Sequence, residues 1–155
     1  MDLLRINWDV AIKYCEQLAS MIKHKPDVII GISRGGLVPA RILSDILAVK
    51  EIKIIGASFY TNIEKTKDTL SITQHISEEL NDKSVLIVDD VADSGKSLKE
   101  VYDYIIKKGA KEIKTATLHY KPKSIFKPDY YVMITDAWIV YPWEVHETER
   151  ELSKN

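Results

Sequence analysis

Three carboxylates, Asp89, Asp90 and Asp93, run directly into Ser94-Gly95-Lys96-Ser97. Such acids accept hydrogen bonds from a vicinal diol or hold Mg²⁺ through water. The hydroxyls and the glycine suit a monophosphate, because residues 84–90 (SVLIVDD) read as an apolar strand that gives way to a helix just beyond them. At a strand-to-helix junction backbone N–H groups point outward and the helix dipole is positive. Gly95-Lys96-Ser97 resembles the end of a Walker A loop, but that motif needs a glycine where this chain has Asp90. A carboxylate there would repel a triphosphate, which argues against an NTPase. Acids before a helix also serve as N-caps and solvated surface charge. A ribose 5-phosphate would use both the acids and the cradle at once.

The elements that must position these groups follow from periodicity. Residues 7–24 read as an amphipathic helix, with Asn7 as N-cap, Ala11, Cys15, Leu18 and Ile22 on one face, and Pro26 as the stop. Residues 27–33 are a short apolar run of the kind buried on both faces of a sheet, and Gly35-Gly36 turns the chain into a helix over about 37–49. Strands are expected at 52–60, 84–90, 112–120 and 130–135, with a short one at 72–76. The helix after Ser97 runs to Lys108, with Gly109 as the C′ residue, and the tail is helix-prone from Glu144. Residues 61–69 are polar and aperiodic, an exposed loop carrying Lys65 and Lys67. Strands separated by helices predict an α/β fold with a mostly parallel sheet. Ligands in such sheets bind beyond the carboxyl ends of the strands, which singles out 31–36 and 88–97.

The stretch VLIVDDVADSGKS resembles the ribose-5-phosphate signature of type I phosphoribosyltransferases, and GISRGGLVPA is similar to their pyrophosphate loop. DAWIVYPWE resembles the base-binding segment of the small 6-oxopurine members, the hypoxanthine-guanine and xanthine-guanine enzymes. The resemblance spans residues 27 to 150 and implies one domain over 1–155, a central twisted sheet flanked by helices, and a hood contributed mainly by 121–155. It implies transfer of the 5-phosphoribosyl group of phosphoribosyl pyrophosphate (PRPP) to N9 of a 6-oxopurine, yielding a nucleoside 5′-monophosphate and pyrophosphate. Asp89 and Asp90 would then bind the ribose hydroxyls with Mg²⁺ nearby. Ala92, Asp93, Ser94, Gly95, Lys96 and Ser97 would hold the 5-phosphate, and Asp93 would take the proton from purine N7. Ser33, Arg34 and Gly35, with Arg150, would bind pyrophosphate, and the peptide before Arg34 is often cis in this family. Lys121 matches the lysine on the purine 6-oxygen, Trp138 the aromatic that stacks on the base, Ile139 the backbone at its Watson–Crick edge, and Glu144 an acid near C2.

The chain departs from the family pattern in three places. Serines stand at 94 and 97 where threonine is common, Ser58-Phe59-Tyr60 replaces a serine-tyrosine pair at the start of the lid, and Glu144 stands where some relatives have aspartate. The alternatives are a transferase for adenine or a pyrimidine, and a non-catalytic regulator that senses PRPP. A donor-only ammonium at Lys121 disfavours adenine's amino group, and the glutamate near C2 favours guanine over xanthine.

Composition narrows the field further. The 155 residues are 45% apolar and 29% charged, with 22 basic against 23 acidic side chains, net −1, so no bulk field for nucleic acid is expected. No apolar run is long enough to cross a bilayer, and the N-terminus lacks the pattern of a secretory signal. A cytoplasmic protein without membrane contact is expected, and the resemblance implies a homodimer or homotetramer. A single cysteine, Cys15, excludes an internal disulfide and reads as core, and His24, His75, His119 and His146 share no metal-ligand spacing. His119 reads as part of a strand, with lining of the base pocket beside Lys121 as the alternative, Trp8 packs the first helix, and Trp143 packs the hood. Lys107, Lys108 and Lys111 complement a helix dipole.

Overall fold

The computed structural model describes residues 2–61 and 68–154. The expected loop at 61–69 falls largely outside them, with Lys65 and Lys67. In chain order the elements are β1 (Leu3–Arg5), α1 (Trp8–Met21), β2 (Val28–Ser33), α2 (Leu37–Ile46), β3 (Ile52–Thr61), β4 (Asp68–Gln74), β5 (Ser84–Ala92), α3 (Lys96–Lys107), β6 (Glu112–Tyr120), β7 (Tyr130–Ile134), β8 (Trp138–Val140) and α4 (Val145–Leu152). A single 3₁₀ turn, Pro142–Glu144, joins β8 to α4. The main sheet has six strands in the order β4-β3-β2-β5-β6-β7; only the β3–β4 pairing is antiparallel. No described helix is long and apolar enough to cross a membrane.

Both faces of this sheet are covered, so its central strands are apolar throughout rather than alternating. Successive side chains still point to opposite faces. Ile29, Leu86, Val88, Ala116 and Leu118 pack with Ala11, Cys15 and Leu18 of α1 and Ala40 and Leu43 of α2. Val28, Ile30, Ile32, Val85 and Ile87 face the other way, against Leu98, Val101 and Ile105 of α3. That alternation lapses after Val88: Val91 packs with the α1 and α2 cluster and Ala92 with the α3 cluster, and the Asp89 and Asp90 carboxyls between them lie close together. Cys15 is fully buried, and its thiol is pushed up to about 12 by that burial, so it is an inert core residue.

The helix ends have local causes. Asn7 caps α1 by accepting a hydrogen bond from Val10 N at 2.8 Å. The helix stops at Met21, earlier than the expected 24, where Ile22 turns extended (ψ 106°). α2 likewise ends at Ile46 rather than 49. There Ala48 takes a positive φ of 55°, and Val49 N donates back to Ser44 O at 2.9 Å. Gly109, at φ 85°, follows α3 as expected.

Two short strands were not legible in the sequence. β1 and β8 form their own two-stranded parallel sheet, pairing Leu3 with Trp138 and Arg5 with Val140. This pairing ties the N-terminus to the segment expected to form the hood.

Leu86 is 1% exposed on the α1/α2 face, whereas Ile106 on α3 is 51% exposed. Leu86→Ala is expected to lower unfolding free energy by about 2–5 kcal/mol, and Ile106→Ala by no more than about 0.5 kcal/mol. Urea denaturation of the two variants checks the difference.

Candidate active site

The acids sit where β5 emerges from between its neighbours. Asp90 is buried at 7% exposure, while Asp89 is only partly so. Burial raises both carboxyls above the usual carboxylate range, Asp89 the more strongly because Asp90 adds its charge. Backbone donors offset part of this: Asp90 N donates to Asp89 Oδ1 at 2.9 Å and Val91 N to Asp90 Oδ1 at 2.8 Å. Trp143 Nε1 donates to the other oxygen, Asp90 Oδ2, at 3.3 Å.

On the α3 side, Asp89, Ala92, Asp93, Ser94, Gly95 and Ser97 line a cavity of about 80 Å³. Gly95 opens α3 at φ 80°, a left-handed conformation that glycine adopts without strain. A Cβ there would also collide with Ser124 Oγ in the turn that closes against the loop. Ser94 Oγ accepts from Lys96 N at 3.3 Å, tightening the first turn. The Lys96 side chain leaves this cavity, and its Nζ lies 5.9 Å from the centre of the Phe59 ring.

Asp93 stands at the mouth of the cavity and faces two ammonium groups. Lys121 Nζ is 3.6 Å from Asp93 Oδ1, and Lys123 Nζ is 3.0 Å from the same oxygen. Lys121 is held by its backbone, whose N–H donates to Ala92 O at 3.0 Å, and its side chain is only 11% exposed. Lys123 is a site residue that the sequence reading missed; its spacing in HYKPK was the one available signal.

On the other side, the loop after β2 approaches Asp90 closely. The Ser33–Arg34 peptide is cis. A Cβ on Gly35 would lie 2.5–2.6 Å from the Asp90 carboxyl atoms, so only glycine lets the loop pass. Arg34, Gly35, Trp143, Glu144 and Glu147 line a cleft of about 350 Å³. Arg34 Nη2 donates to both Glu147 oxygens, at 2.8 and 3.0 Å. Both side chains are substantially exposed, so this pair is weak and an incoming anion can replace it. The Glu144 carboxyl is pushed up to about 7, chiefly by burial and then by Asp90.

The remaining expected residues lie apart from both cavities. Trp138 and Ile139 stand on β8, with Ile139 buried in the core. Arg150 is exposed on the last turn of α4. Neither cavity is lined by any of the three. His119, weighed as a base-pocket residue, is instead completely buried, and its Nδ1 lies 2.8 Å from the Tyr141 hydroxyl.

Burial lowers the His119 ring to about 4, so it is neutral in the folded protein near neutral pH. The unfolded chain binds a proton below about 6.5, whereas the native ring does so only near 4. Relative to His119→Phe, the native protein is therefore expected to lose stability as pH falls from about 6.5 towards 4. The loss reaches up to about 3 kcal/mol at the acid end. Denaturant unfolding of both proteins at pH 7 and pH 4.5 measures it, since all other titrations are common to the pair.

Comparison with known proteins places this geometry. The phosphoribosyl transferase domain family matches over residues 5–150. A xanthine-guanine phosphoribosyltransferase from Idiomarina loihiensis is 32% identical over 120 residues, covering 76% of this chain and 71% of that protein. One from Cereibacter sphaeroides is 30% identical over 149 residues, covering 90% and 86%. Among solved structures, a purine phosphoribosyltransferase from Pyrococcus horikoshii is similar at 46% identity with a TM-score of 0.87, covering 92% of this chain and 95% of that one. Since the family match runs from β1 into α4 and these relatives span most of their own lengths, the chain belongs to the phosphoribosyl transferase family.

Proposed function

We propose that the protein is a purine-salvage enzyme that joins PRPP to N9 of a 6-oxopurine, with hypoxanthine and guanine preferred and xanthine a further substrate. The observation that carries this reading is the Lys121–Asp93 pair, 3.6 Å apart beside a hydroxyl-lined cavity at the start of α3. The relatives named as xanthine-guanine and purine phosphoribosyltransferases support the same substrate class.

The 5-phosphate occupies the cavity at the start of α3, where Ser94, Ser97 and the amides of the first turn donate to it. Asp89 and Asp90, side by side at the end of β5, accept hydrogen bonds from the ribose hydroxyls. Pyrophosphate takes the Arg34 guanidinium from Glu147 and lies along the loop at Gly35. Lys121 donates to the purine 6-oxygen, and a donor-only group disfavours a 6-amino base. The N9–C1 bond forms as the C1–oxygen bond breaks, and its electron pair leaves with pyrophosphate. Asp93 receives the N7 proton, and Lys121 and Lys123 stabilise its carboxylate beforehand. The transition state carries positive charge on the ribose ring, so the enzyme needs no covalent nucleophile, only positioned charge and excluded water.

Mg²⁺ fits this site as a shared ion. Asp89 and Asp90 are hard oxygen donors, raised by burial and so favoured by a cation. Among the described residues no three histidine, cysteine or acidic side chains form a cage. Asp89 and Asp90 would hold the ion together with water and substrate oxygens. When bound it would neutralise pyrophosphate charge.

Turnover is tested with PRPP, Mg²⁺ and each of hypoxanthine, guanine, xanthine, adenine and uracil. Asp93→Asn is expected to reduce kcat by about 10²–10⁴-fold while PRPP still binds. PRPP binding without turnover of any base in the unmodified protein would identify a sensor instead. Lys121→Gln, which adds an acceptor, is expected to cut hypoxanthine kcat/KM by about tenfold or more and raise the adenine-to-hypoxanthine ratio. An unchanged ratio would remove Lys121 from base selection.

A further inference from the structure

Five aromatic rings form a continuous column through the molecule. Trp8 of α1 meets Trp143 at 5.9 Å, Trp143 stacks on Tyr141 at 4.8 Å and 7°, Tyr141 meets His119 at 5.5 Å, and His119 meets Tyr14 of α1 at 5.5 Å. The polar tips of this column converge on one residue. Trp143 Nε1 donates to Asp90 Oδ2 at 3.3 Å, and the Tyr141 hydroxyl donates to the Asp90 backbone carbonyl at 3.0 Å. With its proton committed to Asp90, the Tyr141 oxygen must accept from His119 Nδ1, 2.8 Å away. That fixes the histidine tautomer and leaves Nε2 buried without a partner among the described residues. A histidine that only filled space would be better replaced by an apolar side chain, so the orphaned nitrogen points to a requirement for the donor at Nδ1.

We propose that Tyr141 and Trp143, with His119 behind Tyr141, are positioning residues that hold Asp90 in place for the ribose of PRPP. The inference rests on the reading of Asp90 as a ribose-binding acid. Asp90 is gripped at its carboxylate by one ring and at its carbonyl by the next, while Gly35 closes its third side. Both rings belong to the segment that continues from β8, so the base-binding side of the protein and the ribose acid are one mechanical unit.

Calorimetric binding of PRPP with Mg²⁺, KM for PRPP and for hypoxanthine, and thermal melting test the proposal on Tyr141→Phe, Trp143→Phe and Asp90→Asn. Each Phe variant keeps an aromatic ring and loses the hydrogen bond to Asp90, Tyr141→Phe losing the one from His119 as well, and each is expected to weaken PRPP binding about three- to tenfold. KM for hypoxanthine should stay within about twofold in these variants. A rise in hypoxanthine KM with PRPP binding unchanged would overturn the proposal, since the rings would then only shape the base pocket. If Asp90→Asn itself leaves PRPP binding intact, the ribose reading of Asp90 fails. If Asp90→Asn weakens binding and neither Phe variant does, the positioning role alone fails. His119→Asn and His119→Leu give an independent readout should Tyr141→Phe not fold. The asparagine amide can replace the Nδ1 donor and is expected to retain PRPP affinity that the leucine variant loses; equal affinities would contradict the relay.

Discussion

The whole site depends on the point at which β5 stops being apolar. Val85 to Val88 are buried on alternate faces between two helical layers, and that alternation lapses at Asp89 and Asp90. Two adjacent carboxylates are thereby left side by side at the end of the strand, close enough to act on each other. One joins the cavity at the start of α3, the other the loop after β2 and the turn after β8. A ligand with a phosphate at one end and a pyrophosphate at the other can span that strand end, with a hydroxyl for each acid. Burial that makes the strand stable also raises both acids, so the arrangement is held by the donors around it rather than by solvent.

The surrounding elements follow from this constraint. Gly35 is small because Asp90 is already there, and Gly95 is left-handed because α3 must begin directly beside Asp93. The Arg34–Glu147 pair, by contrast, lies in solvent and contributes little stability, which suits a group that must exchange its partner for a substrate. Rigid contacts thus surround the acids, and a solvent-exposed ion pair lines the neighbouring cleft.

Much of this was legible from residue order. The run at 84–90, the hydroxyls beyond it and Gly35-Gly36 pointed to the two strand ends that carry the candidate site, and the parallel α/β sheet followed from periodicity. The α2 terminus was not legible, because Ala48 rather than a glycine takes the positive φ. Nor were β1 and β8, whose three residues each are too short to show a period and which pair across almost the full chain. The links from Trp143 and Tyr141 to Asp90, from His119 to Tyr141 and from Lys123 to Asp93 are tertiary. Nothing in local spacing encodes them. His119 was the clearest case: its neighbour Lys121 reaches the site, but strand alternation alone did not disclose that the imidazole points into the core against α1.

The central claim is that one ligand spans the end of β5 and uses both Asp89 and Asp90. The most direct measurement is a crystal structure with inosine 5′-monophosphate bound. The account predicts the 5′-phosphate within hydrogen-bond distance of Ser94, Ser97 and the Gly95 amide. It also predicts the ribose hydroxyls against Asp89 and Asp90, and the purine 6-oxygen on Lys121. A nucleotide whose phosphate lies in the Arg34–Glu144 cleft, with its ribose remote from both acids, would contradict it.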